Sequence, residues 1–297
     1  MSARLPLRAC FPPPQDLGRA GDAGVVEPGG VLQRRWADRL LLTGGPAAIL
    51  MQVAHPLVAA GVTHSDYRER PGHRLLATLE LTLAVTFGDT SQARAAVARV
   101  ARRHTSINGT LDEPAGPLPR GTAYDATDPE LALWVYATLV WTALRVHEVL
   151  GHPLPTDELE DYWQQSKPFA RLFGVGDDLL PGSFEDFTRY VEGTVAGLVV
   201  TDPARSVRDD MLQPRLWPPV PGAGPVVRAV TAALLPPSLA TAYAVDLTPR
   251  RRLAVRLLGS VARVVWPRLP LRLREFPHAA VARHRISLRS DETSAKV

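Results

Sequence analysis

Cysteine and lysine are almost absent from this 297-residue sequence, and each shortage narrows what the protein can be. The single Cys10 excludes an intramolecular disulfide and a cysteine-based metal site, and it favours a reducing cytoplasm. Lys167 and Lys296 are the only lysines, so the net charge of +4 comes almost entirely from arginine. Arginine combined with much alanine, glycine and proline is typical of GC-rich coding. We therefore expect no nucleic-acid partner, despite the basic charge.

Long apolar runs are also lacking. No run reaches the length of a transmembrane helix, and residues 1–30 contain no continuous apolar segment of the signal-peptide kind. We expect no stable membrane insertion, a cytoplasmic location, and recovery in the soluble fraction at low and at high salt.

Alternating strand patterns are scarce, whereas helical spacing of apolar residues recurs along the chain, and this predicts an all-α fold. We predict a flexible lead-in over 1–30, one helical domain over 31–290 and a disordered tail over 291–297. The predicted helices cover 33–43, 46–55, 71–88, 91–107, 129–150, 156–172, 183–199, 224–246 with a break at Pro236-Pro237, 248–266 and 278–287. The Pro-rich stretch 213–226 is predicted to be a surface loop.

The helix predicted over 71–88 carries a polar stripe. Arg74, Thr78, Thr82 and Thr86 follow one another at a spacing of four, so they share one face of an otherwise apolar helix. Either the stripe faces a cavity, or it is a solvated face whose threonines bond back to carbonyl oxygens one turn earlier. Spacing alone leaves both interpretations open.

Two histidines lie within apolar segments. His104 shares a helix face with Val97 and Val100, which is how a helix presents an axial ligand to a haem in an apolar pocket. His55 interrupts the apolar run QVAHPLVAAGVTHS, which contains His64 near its end. For both His104 and His55, a core imidazole with a hydrogen bond is the ordinary alternative, and the sequence leaves it open.

Multi-ligand metal motifs fit poorly. HEVLGH at 147–152 is one residue too long for a zinc-protease helix. Glu275 and His278 have the Glu-x-x-His spacing of di-iron helices, but only once and with Pro277 between them.

Two further segments have two interpretations each. On the helix predicted over 129–150, Trp134, Tyr136, Thr138 and Trp141 line a cavity or, as is more usual, belong to the core. The basic amphipathic segment 249–276 suits an anionic membrane surface or a nucleic acid backbone. We favour a final helix that packs its apolar side inward and turns its arginines to water.

Three stretches, in order, carry a family resemblance: GGPAAILMQVAHPLVAAGVTHSDYRERPGHRLLATLELTLAVTFGD, VARRHTSINGT and GTAYDATDPELALWVYATLVWTAL. Over about residues 30–200 the sequence resembles the MpaB-type oxygenase family, which includes the catalytic domain of latex-clearing proteins, the bacterial rubber oxygenases. The resemblance implies an all-α fold with a globin-like core and a b-type haem. It also implies cleavage of isoprenoid double bonds with O2.

By position, the resemblance implies that His104 is the proximal haem ligand and that Arg74 and Thr78 lie in the distal pocket. It places His55 at or near the cofactor cavity. Latex-clearing enzymes have a lysine where this chain has Ala77, and an arginine where it has Asn108. We expect a haem-b-dependent oxygenase that takes O2 and a small apolar, isoprenoid or lipid-like substrate. The alternative is a non-catalytic protein that has kept the fold to bind a hydrophobic ligand.

Overall fold

The computed structural model describes residues 5–6, 12–13, 16–63, 71–213, 216–217 and 220–294, with the side chains at 71–74 among those left undescribed. Within these ranges the chain is built from α-helices, which confirms the all-α prediction. The helices are α1 (Val31–Trp36), α2 (Gly45–Ala54), α3 (Pro56–Thr63), α4 (Pro71–Phe87), α5 (Thr90–His104), α6 (Pro129–Val149), α7 (Leu159–Leu172), α8 (Phe184–Gly197), α9 (Asp202–Leu212), α10 (Ala223–Leu234), α11 (Pro237–Ala242), α12 (Pro249–Val265), α13 (Leu271–Arg274) and α14 (Pro277–Ser294). Short 3-10 helices cover Arg39–Gly44, Thr156–Glu158 and Trp266–Arg268.

Two short strand pairs accompany the helices. Strand β1 (Leu5–Pro6) runs parallel to β4 (Leu216–Trp217). Strands β2 (Asn108–Thr110) and β3 (Ala123–Asp125) form an antiparallel pair in which Asn108 lies opposite Asp125. The β2–β3 pair lies between the helices predicted over 91–107 and 129–150.

Helix α2 lies at the centre of the core, and all of its residues from Pro46 to Ala54 are buried. It packs against α3, α6, α9 and α10. A Cβ at Gly44, just before α2, would lie 2.7 Å from Val146 Cγ2 and 2.9 Å from Thr142 Cγ2. The glycine therefore does more than interrupt a helix, because it lets the start of α2 approach α6 closely.

The aromatic residues of α6 belong to the core. Trp134, Tyr136 and Thr138 are buried, and the Tyr136 hydroxyl donates to the Ser166 carbonyl at 2.7 Å. The Tyr136 ring stacks on Phe169 with 4.8 Å between ring centroids. The core interpretation of these side chains is thus confirmed.

Residues from the lead-in and from α14 are joined. The Gly21 amide donates to the Arg285 carbonyl at 2.9 Å, and Val26 is buried in the core. Helix α14 continues to Ser294. The three-part division of the chain stays a prediction.

Helix α12 departs from the prediction that it would pack its apolar side inward. Only Val255 and Gly259 of this helix are buried, whereas Leu253, Leu257 and Val261 are exposed. That prediction is therefore wrong. Helix α9, which was not predicted, packs against α2 and α3.

In the described part of the chain, no single helix is both long and apolar enough to cross a membrane. The segments Arg39–Ala54 and Pro56–Val62 meet at 107°. Taken together, and judged by length and composition alone, they are long and apolar enough to cross a membrane.

Candidate functional site

The break between α2 and α3 positions His55. Proline disfavours a helical conformation in the residue before it, and His55 accordingly has φ −76° and ψ 119° ahead of Pro56. The His55 amide donates to the Gln52 carbonyl at 3.2 Å, and the His55 carbonyl accepts from the Ala59 amide at 2.9 Å. The histidine backbone therefore closes one helix and opens the next.

The His55 side chain is half-buried, and its Nδ1 atom is buried without a hydrogen-bond partner among the described residues. Burial lowers the pKa of the imidazole, and the nearby Asp128 carboxylate opposes this shift only in part. A neutral imidazole with an unused nitrogen can donate to or accept from a bound molecule. The ordinary alternative for His55 was a core imidazole with a hydrogen bond. Nδ1 makes no such bond to the described residues.

The threonines of the polar stripe predicted on α4 differ in burial. Thr86 is buried near the C-terminal end of the helix, where its carbonyl accepts from Gln33 Nε2 at 3.3 Å. Its hydroxyl has no hydrogen-bond partner in the described structure, so the expected bond back to a carbonyl is not made there. Thr78 and Thr82 are half-buried, and the Arg74 side chain lies outside the described side chains. The stripe is neither fully solvated nor fully in the core.

Helix α5 begins with a capping box, in which the Asp89 carboxylate accepts from the Gln92 amide and the Gln92 side chain bonds back. Its burial decreases along its length: Ala93 and Val97 are buried, Val100 is half-buried and Ala101 is exposed. Full burial on this helix therefore ends before Ala101.

His104 is the last residue of α5 and is half-buried. It lies at the C-terminal end of the helix, where the helix dipole favours positive charge. Its carbonyl accepts from the Ile107 amide at 2.9 Å. A Cβ at Gly61 would lie 3.3 Å from Ile107 Cγ2, so α3 passes close to the residues that follow His104.

The structure brings two of the predicted site residues onto neighbouring helices. Only Gly88 and Asp89 separate α4 from α5, and the two helices pack against each other as a hairpin. Thr78 and His104 are both half-buried in the parts of this hairpin away from its turn. His55 lies at the α2–α3 break, near the N-terminal end of α6.

The half-buried face of α4 was only partly foreseen. Leu75, Leu76, Ala77, Leu79 and Leu81 are also half-buried, so this part of α4 is mainly apolar on all sides of the helix. Such partial exposure cannot be recognised from sequence periodicity, which identifies an apolar face but not the completeness of its cover. The sequence signal was the run of apolar residues that flanks the threonine stripe.

Asn108 and Ala77 occupy positions where the resemblance led us to note a difference. Asn108 is exposed, begins β2 and donates from Nδ2 to the Thr105 carbonyl at 3.5 Å. Ala77 is half-buried on α4 and has no polar group. The assignment of Arg74, Thr78, His55 and His104 to a site stays a prediction.

Metal-ligating side chains do not form clusters in the described ranges: no three His, Cys, Asp or Glu residues come together there. His147 lies at the other end of the core, buried, with Nε2 3.2 Å from the Arg35 carbonyl. His152 is exposed, with Nε2 3.2 Å from the Arg263 carbonyl.

This chain is similar to known proteins over most of its length. A family model described as "ER-bound oxygenase mpaB/B'/Rubber oxygenase, catalytic domain" matches residues 33–264. The uncharacterized proteins Rv2237 of Mycobacterium tuberculosis and Mb2261 of Mycobacterium bovis are each 26% identical over 237 residues, which cover 76% of this chain and 89% of theirs. No solved structure matches the chain.

Proposed function

This chain belongs to the mpaB and rubber oxygenase catalytic-domain family, and on that basis we propose that it is a haem-b-dependent oxygenase acting on a small apolar, isoprenoid or lipid-like molecule. The family is that of an oxygenase catalytic domain, which supports an oxygenase activity with O2 as co-substrate. The observation that carries the proposal is the position of His104, half-buried on the hairpin whose other helix presents a half-buried apolar face.

The donor set suits a haem. A haem could be held by one imidazole on an otherwise apolar helix face. His104 is such a residue, and it stands at the helix end whose dipole favours a bound cation. His55 adds a buried Nδ1 that has no described partner and is free to bond a polar edge of a ligand. When bound, haem b supplies an iron at which O2 is activated.

The residues of α4 have two proposed roles. Thr78 offers a hydroxyl that can donate a hydrogen bond to a bound ligand. Arg74 stands one turn earlier on the same helix, a spacing that places it on the same face, and it offers a positive charge and several N–H donors. Preorganised donors of this kind stabilise negative charge that develops during a reaction in a poorly solvated site.

The neighbouring apolar residues define the substrate class. Leu75, Leu76 and Leu79 are half-buried in the same part of α4 as Thr78, and they offer a bound hydrocarbon chain no hydrogen bond. A substrate held in this way is oriented by shape, with its polar contacts limited to the α4 stripe. We also propose a cytoplasmic location, because a chain with only Cys10 makes no use of an oxidising compartment.

The test is the absorption spectrum of the purified protein after expression with ample haem. We expect a Soret band and about one haem per chain, since one axial ligand supports one haem. His104→Ala should remove the band. The matched control is His284→Ala, because His284 is exposed on α14, far from the hairpin in sequence, and its loss should leave the band unchanged.

Two outcomes would contradict the proposal. Equal haem content in wild type and His104→Ala would remove His104 as the ligand. A wild-type protein that takes up no haem but binds an apolar fluorescent probe would instead indicate the non-catalytic binding protein described above.

A further inference from the structure

The apolar side of α12 faces solvent. Leu253, Leu257, Val261 and Val264 are 59%, 59%, 58% and 56% exposed. At 100° per residue these four side chains fall on one arc of the helix, and Val265 and Leu258 extend it. Soluble helices normally turn such an arc toward the core, so its exposure indicates a contact with something outside the chain.

The inward contacts of α12 fix this orientation. A Cβ at Gly259 would collide with the Val149 carbonyl oxygen, so the helix approaches α6 along its glycine side. Arg263 donates to the carbonyls of Gly151 at 2.7 Å, Glu148 at 2.8 Å and Val149 at 3.1 Å. Its guanidinium thereby caps the C-terminal end of α6. Rotation of α12 that buried its leucines would break all of these bonds.

The surface around the arc is strongly basic. Residues 247–274 contain eight arginines and no acidic residue. Arg250, Arg252, Arg256 and Arg272 are exposed, and none of them forms an ion pair in the described part of the chain. The segment therefore presents leucine and valine side chains bordered by unpaired positive charge.

Two neighbouring elements enlarge this apolar surface. Leu271 and Leu273 of α13 are exposed, and Val226 of α10 is exposed beside a cleft between α10 and α12. The cleft has a volume of about 890 Å³, and Leu257, Leu258 and Val261 contribute to its walls. Arg228 and Arg250 also line it. The docking face consists of α12, α13 and this cleft.

We propose that the docking face binds reversibly to an anionic membrane surface, with the α12 arc at the acyl boundary and the arginines on lipid phosphates. This proposal replaces the expectation from the sequence that the protein stays in the soluble fraction at low salt as well as at high salt. An amphipathic helix with a basic polar face lies in the membrane interface in this way. The binding does not depend on the oxygenase proposal, and it involves no membrane-spanning segment.

The charges and the apolar arc together favour an anionic membrane over a second copy of the chain or a nucleic acid. In a symmetric dimer through the same face, arginines would meet arginines, because residues 247–274 offer no acidic partner. A nucleic acid backbone would neutralise the arginines but leave the leucines and valines in water. An anionic lipid surface satisfies the charges and the apolar arc together.

The test is sedimentation of the full-length protein with vesicles. One set contains phosphatidylcholine alone, and the other contains equal parts of phosphatidylcholine and phosphatidylglycerol. We expect binding to the anionic vesicles only, with release at high salt. Arg252→Gln with Arg256→Gln should weaken binding by about 25-fold, because each arginine near an anionic surface contributes about fivefold. Leu257→Gln with Val261→Gln should weaken it by at least about tenfold.

The matched control removes two arginines elsewhere. Arg34 and Arg189 are 55% and 66% exposed, and their ion pairs lie on the surface. Arg34→Gln with Arg189→Gln has the same net charge as the α12 arginine variant and should bind vesicles as wild type does. Circular dichroism verifies that every variant is folded; since the altered side chains are exposed, folding should be retained.

Three results would overturn the proposal. The first is equal binding to neutral and anionic vesicles. The second is a loss of binding in the control equal to that in the α12 arginine variant. The third is a wild-type protein that does not bind vesicles but forms a dimer or binds DNA. In that case the Leu257→Gln with Val261→Gln variant would lose the dimer or the DNA binding.

Discussion

Arg285→Met is expected to destabilise the protein strongly, because Arg285 is buried and its guanidinium bonds only carbonyl oxygens. Nε donates to Asp22 at 2.7 Å, Nη2 to Phe87 at 2.9 Å and Nη1 to Leu17 at 3.4 Å. Burial lowers the pKa of the guanidinium, and the negative charges of Asp89 and Asp22 oppose this decrease. Methionine keeps much of the apolar stem but leaves these carbonyls without a donor.

The magnitude follows from these bonds. A buried acceptor left unsatisfied costs about 1–3 kcal/mol, and removal of one member of a buried charged network costs about 3–5 kcal/mol. The longest bond, to Leu17, contributes least, so we expect a loss of about 4 kcal/mol in the free energy of unfolding. Arg285→Lys should lose less, because an ammonium keeps the charge but not the planar fork of donors.

Urea unfolding followed by circular dichroism measures this loss as a lower midpoint at an unchanged slope. The control is Arg283→Met, because Arg283 is exposed and pairs with Glu275 on the same surface. Its loss should cost less than about 1 kcal/mol. If Arg285→Met is no more destabilised than Arg283→Met, the carbonyl bonds of Arg285 do not stabilise the fold.

Two further predictions concern the site and the pH dependence. Arg74→Ala should keep its haem, as measured by the Soret band. Its turnover of an apolar alkene substrate should fall by about 100- to 1,000-fold, because loss of one preorganised donor costs about 2.7–4 kcal/mol. Unchanged turnover would leave Arg74 with a structural role. Burial lowers the pKa values of His147 and His278 from the ordinary 6.5 to about 4, so between these two values the unfolded chain binds protons that the folded chain does not. The resulting stability is fully present above pH 6.5 and is lost as the pH falls toward 4, by about 2 kcal/mol for each histidine at about pH 5. Equal urea midpoints at about pH 7 and pH 5 would contradict this.

Helix ends could be predicted where local chemistry determines them. Pro71 and Asp128-Pro129 mark the starts of α4 and α6 in both the prediction and the structure. These signals depend on a few adjacent residues, namely a proline in the first turn or a side chain that caps the first amides. The β2–β3 pair was not predicted, because short strands formed across a loop carry no periodicity of their own.

The orientation of α12 could not be predicted from its sequence. Helical spacing identified its apolar side correctly but did not establish that this side faces the core. The contacts that decide this involve Gly259 and Arg263, which meet residues of α6 more than a hundred positions away. Orientation follows from such long-range contacts, whereas amphipathicity is a local property.

The candidate site could be predicted only in part, because some of its features depend on local spacing and others on contacts between distant segments. The shared face of Thr78 and Arg74 follows from spacing, and the structure places both on α4. The half-burial of His104 and the unpaired Nδ1 of His55 depend on where α5 ends and how α3 leaves α2. A globin-like core stays a prediction that follows from the family resemblance.

The bonds of Arg285 have a consequence for the order of folding during synthesis. The arginine follows Phe87 by 198 residues and Asp22 by 263, so a ribosome must complete nearly every other helix before these carbonyls receive their donor. Helices α4 and α5 emerge early, but the turn between them gains this bond late. Contacts of such long sequence separation form slowly because a large loop must close first. A nascent chain paused before α14 would therefore expose the α4–α5 turn to chaperones and proteases for the whole of the pause.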